Sequence, residues 1–149
     1  MIYIFDLDGT VIDSAHRLGN GSISYYNRNK RFIYKDSRLP LADLMNTAFN
    51  YNWAKILICT SRVLNGADYR SFTRLGLQYD EILSRSPGQS LPCADLKEGL
   101  LTQYASSLGL TFSQFCKKAL MFEDTISVID RMRSLGLNVI DANSANLHK

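Results

Sequence analysis

The sequence predicts an α/β fold in three layers, with a mainly parallel β-sheet between two layers of helices. Short, nearly continuous apolar runs are typical of strands buried on both faces, and amphipathic helical repeats lie between them. Because strands that alternate with helices are joined by right-handed crossovers, the strands are expected to run parallel. At 149 residues the chain has the length of one ordinary domain, 1–149.

The expected elements follow one another along the chain with short connections. Residues 2–5 form the first apolar run, and a small insert, about 14–38, separates it from a helix that begins near Pro40. Thr111 and Gln114 have the spacing of a capping box for a short helix, and Gly109 and Gly136 suit helix ends. Further strands are expected at 55–59, 81–83, 119–122 and 137–140, and further helices at 95–108 and 125–135.

Composition narrows the class of protein. Apolar residues make up 46% of the chain and charged residues 21%, as in folded globular proteins. No apolar run approaches the roughly 20 residues that span a membrane, and the apolar start has no basic leader. The three cysteines are far apart and lack metal-ligand spacing, which favours reduced thiols in a cytoplasmic protein.

The insert is strongly basic. Between positions 17 and 38 six basic residues accompany one acid, Asp36, although the whole chain carries only +3. Such a run indicates either a surface for anions or a solvated face. The insert also contains aromatic residues that either stack on nucleobases or pack against the body. They are Tyr25, Tyr26, Phe32 and Tyr34.

Acidic and hydroxyl side chains follow three of the expected strands. In open parallel sheets, ligands bind beyond the carboxyl ends of the strands, so residues distant in the chain are expected to meet there. Four carboxylates at one edge would repel one another unless a cation compensates, and oxygen ligands favour Mg²⁺. The residues are Asp6 and Asp8 after the first strand, Thr60 and Ser61 after the second, and Glu123 and Asp124 after a later one.

These residues resemble the four motifs of the haloacid dehalogenase superfamily, whose fold is Rossmann-like. The resemblance implies an aspartyl-phosphate mechanism with Asp6 as nucleophile and Asp8 as general acid and base. It implies Lys97 as the catalytic lysine, with Lys117 and Lys118 as rivals at the wrong end of a strand. The implied metal ligands are Asp6, Asp8 through its carbonyl, Glu123 and Asp124, and the implied phosphoryl-binding groups belong to Gly9, Thr10, Thr60 and Ser61.

A narrower resemblance is to the 3'-phosphatase domain of bacteriophage polynucleotide kinase–phosphatases. That family has arginines at positions matching Arg17, eleven residues after Asp6, and Arg62, two after Thr60. Arg85 matches a further arginine, and all three are expected to fork onto phosphate oxygens. The chain lacks a Walker-type loop, and its last motif is Glu-Asp instead of Asp-Asp.

The resemblance implies a Mg²⁺-dependent phosphomonoesterase acting on the phosphate of a nucleotide or of a nucleic-acid end, including a 3'-phosphate. A small helical cap inserted after the first strand would leave the site open to such substrates. Two alternatives remain at this level: a general small-metabolite phosphatase, and an inactive phosphate-binding module. Oligomeric state cannot be read from the motifs.

Overall fold

The protein is built around a five-stranded parallel sheet. A computed structural model describes residues 1–17 and 29–147, with the backbone alone at 29–31. The strand order is β5-β4-β1-β6-β7, and β2 and β3 form a separate antiparallel pair. The strands are β1 Ile2–Phe5, β2 Ile12–Asp13, β3 Ser37–Arg38, β4 Lys55–Val63, β5 Glu81–Arg85, β6 Ala119–Glu123 and β7 Asn138–Asp141.

Helices cover both faces of the sheet, which confirms the three-layer α/β, Rossmann-like prediction. Side chains of β1 alternate between two cores: Ile4 packs with α3, α4 and α5, while Phe5 packs with α1, α2 and α6. Both side chains are fully buried, which explains the continuous apolar run. The helices are α1 Pro40–Asn50, α2 Gly66–Arg74, α3 Cys93–Ser107, α4 Phe112–Cys116, α5 Ile126–Ser134 and α6 Ala142–Leu147.

Strand β4 is longer than the sequence predicted. It continues through Thr60, Ser61 and Arg62 to Val63, so these residues lie within the strand and not after it. The pairing with β5 shifts register between Thr60 and Val63, as in a β-bulge. Because a bulge re-aims side chains at the end of a strand, polar residues can be presented at the sheet edge while pairing continues.

The insert after β1 is bracketed by the small β2–β3 ladder, in which Ile12 lies opposite Arg38. Its described parts are two 3₁₀ turns, Ala15–Arg17 and Asn29–Lys35. In the second turn Tyr34 is 61% exposed, and the Lys35 ammonium lies 5.4 Å from the centre of the Phe32 ring. Residues 18–28, which include Tyr25, Tyr26 and Arg28, lie outside the described residues, as do the side chains of Lys30 and Arg31.

Within the described ranges, 1–17 and 29–147, no helix is both long enough and apolar enough to cross a membrane.

Candidate active site

The carboxyl edge of the sheet holds a buried cluster of acids around one lysine. Lys97, from the first turns of α3, donates to Asp6 Oδ1 at 2.6 Å and to Glu123 Oε1 at 2.7 Å. Asp6 directly follows β1, and Glu123 ends the neighbouring strand β6. Parallel pairing of these strands therefore brings together residues more than a hundred positions apart. Of the three lysines weighed from the sequence, Lys97 is the one in contact with Asp6, whereas Lys117 and Lys118 are exposed beside the opposite edge.

Burial and mutual charge set the protonation of this cluster. Burial raises the pKa of the Asp6 carboxyl well above its usual range, and the charge of Glu123 raises it further. Burial alone would lower the pKa of the Lys97 ammonium, but attraction to Asp6 and Glu123 holds that pKa well above its usual range. Burial also raises the pKa of Asp124. Three carboxylates at this density call for more positive charge than one lysine supplies.

The donor atoms fit a hard divalent cation. One carboxylate oxygen from each of Asp6, Glu123 and Asp124 lies within 4.8 Å of the other two. All three ligands are oxygens, the set that Mg²⁺ prefers. The Asp8 side chain is not part of this cluster, because its carboxylate accepts hydrogen bonds from Arg62. The group of Asp8 expected at the metal is its backbone carbonyl.

Gly9 makes room for the Asp124 carboxylate. A Cβ at this position would lie 2.1 Å from Asp124 Oδ2, closer than any side chain permits, and the backbone has φ +79°. Glycine is therefore required both sterically and conformationally. The Gly9 N–H donates to the Ile12 carbonyl at 2.9 Å, so in this structure it shapes the loop and does not point to a phosphoryl group. Thr10 is fully buried, and its hydroxyl donates to Asp6 Oδ2 at 3.2 Å.

Several polar atoms near the end of β4 lack acceptors or partners. Thr60 Oγ1 accepts the Arg62 N–H at 3.1 Å, and its hydroxyl hydrogen has no acceptor within the described part of the chain. Ser61 Oγ and Arg85 Nη2 are buried and have no partner among the described residues. Buried polar atoms are normally satisfied, so these groups keep hydrogen-bonding capacity that no described residue uses. Arg85 is fixed by donating to the carbonyls of Ser61, Gln89 and Leu91.

Arg62 binds both oxygens of the Asp8 carboxylate. Its Nε donates to Asp8 Oδ2 at 2.9 Å and its Nη2 to Asp8 Oδ1 at 2.6 Å, a bidentate pair. Arg62 Nη1 donates to Asp68 Oδ1 at 3.0 Å, and Ser14 adds a hydroxyl hydrogen bond to Asp8 at 2.6 Å. The Arg62 side chain is 1% exposed. The Asp8 carboxylate is thus oriented by a buried guanidinium.

Arg17 is fully buried and is bound to a carboxylate of the insert. Its Nε and Nη2 donate to the two oxygens of Asp36 at 3.1 and 2.9 Å. Arg62 Nη2 also reaches Asp36, at 3.3 Å, and His16 Nε2 lies 2.9 Å from it. The structure therefore gives Arg17 and Arg62 protein carboxylates as partners, in place of the substrate phosphate that the sequence predicted. The reason is that Asp8, Asp36 and Asp68 lie within hydrogen-bonding distance of these two buried guanidinium groups.

Sequence reasoning missed the acids and amides that support the site. Asp36 was visible as the single acid of the basic insert, but nothing local marked it as the counter-ion of two arginines. Asp68 completes a capping box with Asn65 at the start of α2, a spacing that could have revealed this helix. Two asparagines of α6, Asn143 and Asn146, bond to the carbonyls of Asp124 and Thr10, and no pattern pointed to them.

Comparison with known proteins identifies the family. A family model described as bacteriophage T5 5'-deoxynucleotidase matches residues 1–148. The chain belongs to this family. The 5'-deoxynucleotidase of Escherichia phage T5 is 27% identical over 169 residues, a match that covers 97% of this chain and 68% of the relative. Membership confirms the predicted activity class, a phosphatase that hydrolyses phosphoric monoesters.

Solved structures show the same fold. A chain of the Pnkp1/Rnl/Hen1 RNA repair complex superposes with a TM-score of 0.67 at 18% identity over 94% of this chain. The present chain spans only 41% of that longer protein. A HAD hydrolase of family IA, variant 3, from Entamoeba histolytica superposes with a TM-score of 0.63 at 16% identity, covering 94% of this chain and 82% of the other. These likenesses confirm the Rossmann-like fold.

Proposed function

We propose that this phosphatase removes the phosphate of nucleotides by an aspartyl-phosphate mechanism that depends on Mg²⁺. Deoxynucleoside 5'-monophosphates are the first candidate substrates, because the family and its phage T5 relative carry that activity in their names. The observation that carries the proposal is the convergence of Asp6, Lys97, Glu123 and Asp124 at one edge of the sheet. The whole chain is taken to act as one phosphatase domain with its insert at about 14–38.

Asp6 is suited to attack phosphorus. It directly follows β1 at the carboxyl edge of the sheet, and hydrogen bonds from Lys97 and Thr10 fix both of its carboxylate oxygens in place. In the first step an Asp6 oxygen bonds to phosphorus while the bond from phosphorus to the leaving oxygen breaks. In the second, a water oxygen displaces Asp6 from the phosphoryl group, which releases inorganic phosphate and restores the carboxylate.

Asp8 is assigned the two proton transfers. It gives a proton to the leaving oxygen in the first step and takes one from the attacking water in the second. The Asp8 side chain is 26% exposed, so it can be reached from the open side of the site. Arg62 and Ser14 hold the carboxylate in one orientation, and we assign to them the positioning of this proton donor.

The remaining groups neutralise charge. Bound by Asp6, Glu123, Asp124 and the Asp8 carbonyl, Mg²⁺ would offset the repulsion between carboxylates and a phosphate dianion. Lys97 supplies a positive charge beside the Asp6 carboxylate. We assign the binding of phosphoryl oxygens to the Thr60 hydroxyl, Ser61 Oγ and Arg85 Nη2, which keep unused hydrogen-bonding capacity among the described residues.

Substrate choice is tested by competition between phosphate esters. We expect kcat/KM for a deoxynucleoside 5'-monophosphate with Mg²⁺ to exceed that for a 3'-phosphorylated oligodeoxynucleotide and for glucose 6-phosphate by at least about tenfold, which is the usual scale of discrimination by binding contacts. Phosphate release by the purified Asp6→Asn protein, prepared in parallel, measures any contaminating phosphatase. Equal rates on all three esters would favour a general metabolite phosphatase, and preference for the oligonucleotide would move the assignment to nucleic-acid ends.

A further inference from the structure

Helix α6 lies across the catalytic edge at the end of the described chain. It follows β7 directly and packs against β6, β7 and α1. Asp141 Oδ1 accepts the Asn143 N–H at 2.9 Å, which fixes the turn into the helix, and Ala142 is fully buried against the core. The helix therefore has a defined position although it is only six residues long.

Two asparagines of α6 point to the same side of the helix. Asn143 and Asn146 are three residues apart, a spacing that places side chains on one face. Asn143 Nδ2 donates to the carbonyl of Asp124 at 3.0 Å. Asn146 Nδ2 donates to the carbonyl of Thr10 at 3.0 Å. Each thus holds the backbone of a loop that carries a side chain of the active site.

Asn146 makes a second contact with its other amide atom. Its Oδ1 accepts the N–H of Leu41, in the first turn of α1, at 3.0 Å. This helix begins with Pro40, and its N-cap residue, Leu39, provides no side-chain hydrogen bond. Asn146 therefore satisfies one of the N–H groups that a helix start leaves open, from 105 positions away. One side chain ties α1 to the loop that follows Asp6.

The loop after β1 and the loop after β6 must keep a fixed distance and orientation for the proposed active site to function. Thr10 is the residue whose hydroxyl bonds to Asp6, and Asp124 is one of the three carboxylates of the metal cluster. The loops leave adjacent strands, β1 and β6, and they lie so close that a Cβ on Gly9 would be 2.1 Å from Asp124 Oδ2. Backbone supports of this kind orient metal ligands as outer hydrogen-bond partners do, and their loss commonly costs about 10-fold to 100-fold in affinity or activity.

We propose that Asn143 and Asn146 are positioning residues for the active site, with Asn143 acting through the Asp124 loop on the metal and Asn146 acting through Thr10 on Asp6. The proposal rests on the proposed function, because it takes Asp6 as nucleophile and Asp124 as metal ligand. It adds residues of α6 that belong to none of the motifs.

Substitution at Asn146 can separate its two hydrogen bonds. In Asn146→Asp the carboxylate still accepts the Leu41 N–H but offers no donor to the Thr10 carbonyl, so α1 remains capped. Asn146→Ala removes both bonds without adding charge. We expect kcat on p-nitrophenyl phosphate to fall about tenfold in both variants. Asn146→Asp should lose less Tm than Asn146→Ala, because it keeps the acceptor for the Leu41 N–H. Asn143→Ala should raise the dissociation constant for Mg²⁺, measured by calorimetry without substrate, about tenfold.

Ser144→Ala is the matched control, since Ser144 is exposed on the same helix. It should leave kcat, Mg²⁺ affinity and Tm as in the parent protein. The proposal is overturned if Asn146→Asp keeps its kcat within about twofold, if only the charged variant loses activity, or if Asn143→Ala binds Mg²⁺ as tightly as the parent. If the parent protein cleaves p-nitrophenyl phosphate but no nucleotide, the nucleotide assignment fails, while the metal titration and the variant series still test α6.

Discussion

Replacement of Arg62 tests whether this buried arginine orients Asp8 or binds substrate. The side chain is 1% exposed and donates hydrogen bonds to the carboxylates of Asp8, Asp36 and Asp68. Breaking a buried ion pair by removing one partner costs about 3–5 kcal/mol, because the charges left behind are not compensated. For a chain of this size each kcal/mol lowers Tm by about 2–4 °C. Arg62→Ala is therefore expected to lower Tm by roughly 6–20 °C.

Arg62→Lys separates the effect of the positive charge of Arg62 from the effect of its bidentate hydrogen bonds. Lysine keeps the positive charge but cannot fork onto both oxygens of Asp8. General acid–base catalysis contributes about 10²–10⁴-fold in rate, so misorientation of Asp8 should lower kcat at least about tenfold while KM stays close to that of the parent. Steady-state kinetics and thermal unfolding by circular dichroism measure the two effects.

Arg131 provides a matched control for Arg62. Arg131 also donates to two carboxylates, those of Asp95 and Glu98, but its side chain is 37% exposed. Exposed pairs are screened by water, so Arg131→Ala should leave Tm nearly unchanged. If Arg62→Lys raises KM and leaves kcat intact, Arg62 binds the substrate phosphate as its spacing from Thr60 suggested, and its role in orienting Asp8 is refuted.

Three further predictions follow from the site and its surroundings. Gly9→Ala should abolish both Mg²⁺ binding and turnover, because the new Cβ would meet Asp124 Oδ2 at 2.1 Å; a calorimetric titration that still shows tight Mg²⁺ binding would contradict the close approach. Chelation by EDTA should stop phosphate release. Mg²⁺ at 100 times its dissociation constant should stabilise the folded state by about 2.7 kcal/mol. The resulting increase in Tm should be absent in Asp124→Asn. With a thiol reagent, the folded protein should react rapidly at Cys93 alone, since Cys59 and Cys116 are buried and burial raises the pKa of Cys59 to about 12; fast labelling of two or three thiols would show that the core opens.

The sequence predicted those parts of the fold that depend on local patterns. Apolar runs such as Ile2–Phe5 located the strands, because a strand buried on both faces needs apolar residues at every position. Helix α6 was missed because six residues are too few for a hydrophobic period to show. Helix α2 was missed although Asn65 and Asp68 provide a capping box, because its apolar face is short.

The residues of the site could be predicted from the sequence, but the ion pairs that they form could not. Parallel strands end at one edge of the sheet, so the sequence could place Asp6 and Glu123 at the same edge. The pairing of β1 with β6, seen only in the structure, makes them neighbours. The ion pairs of Arg17 and Arg62 depend on Asp36 and Asp68, which come from the insert and from α2. The packing of the insert and α2 against β4 determines which acid pairs with which arginine. No residue spacing in the sequence predicts these pairs.

The central claim is that Asp6 forms the covalent intermediate, and acid quenching tests it most directly. The enzyme is mixed with a ³²P-labelled deoxynucleoside 5'-monophosphate and Mg²⁺, quenched in acid within the first turnover, and digested for peptide mapping. We predict label on the peptide that contains Asp6, and neither label nor phosphate release with Asp6→Asn, which should remain folded. Continued turnover by Asp6→Asn, or label on a peptide that lacks Asp6, would contradict the mechanism.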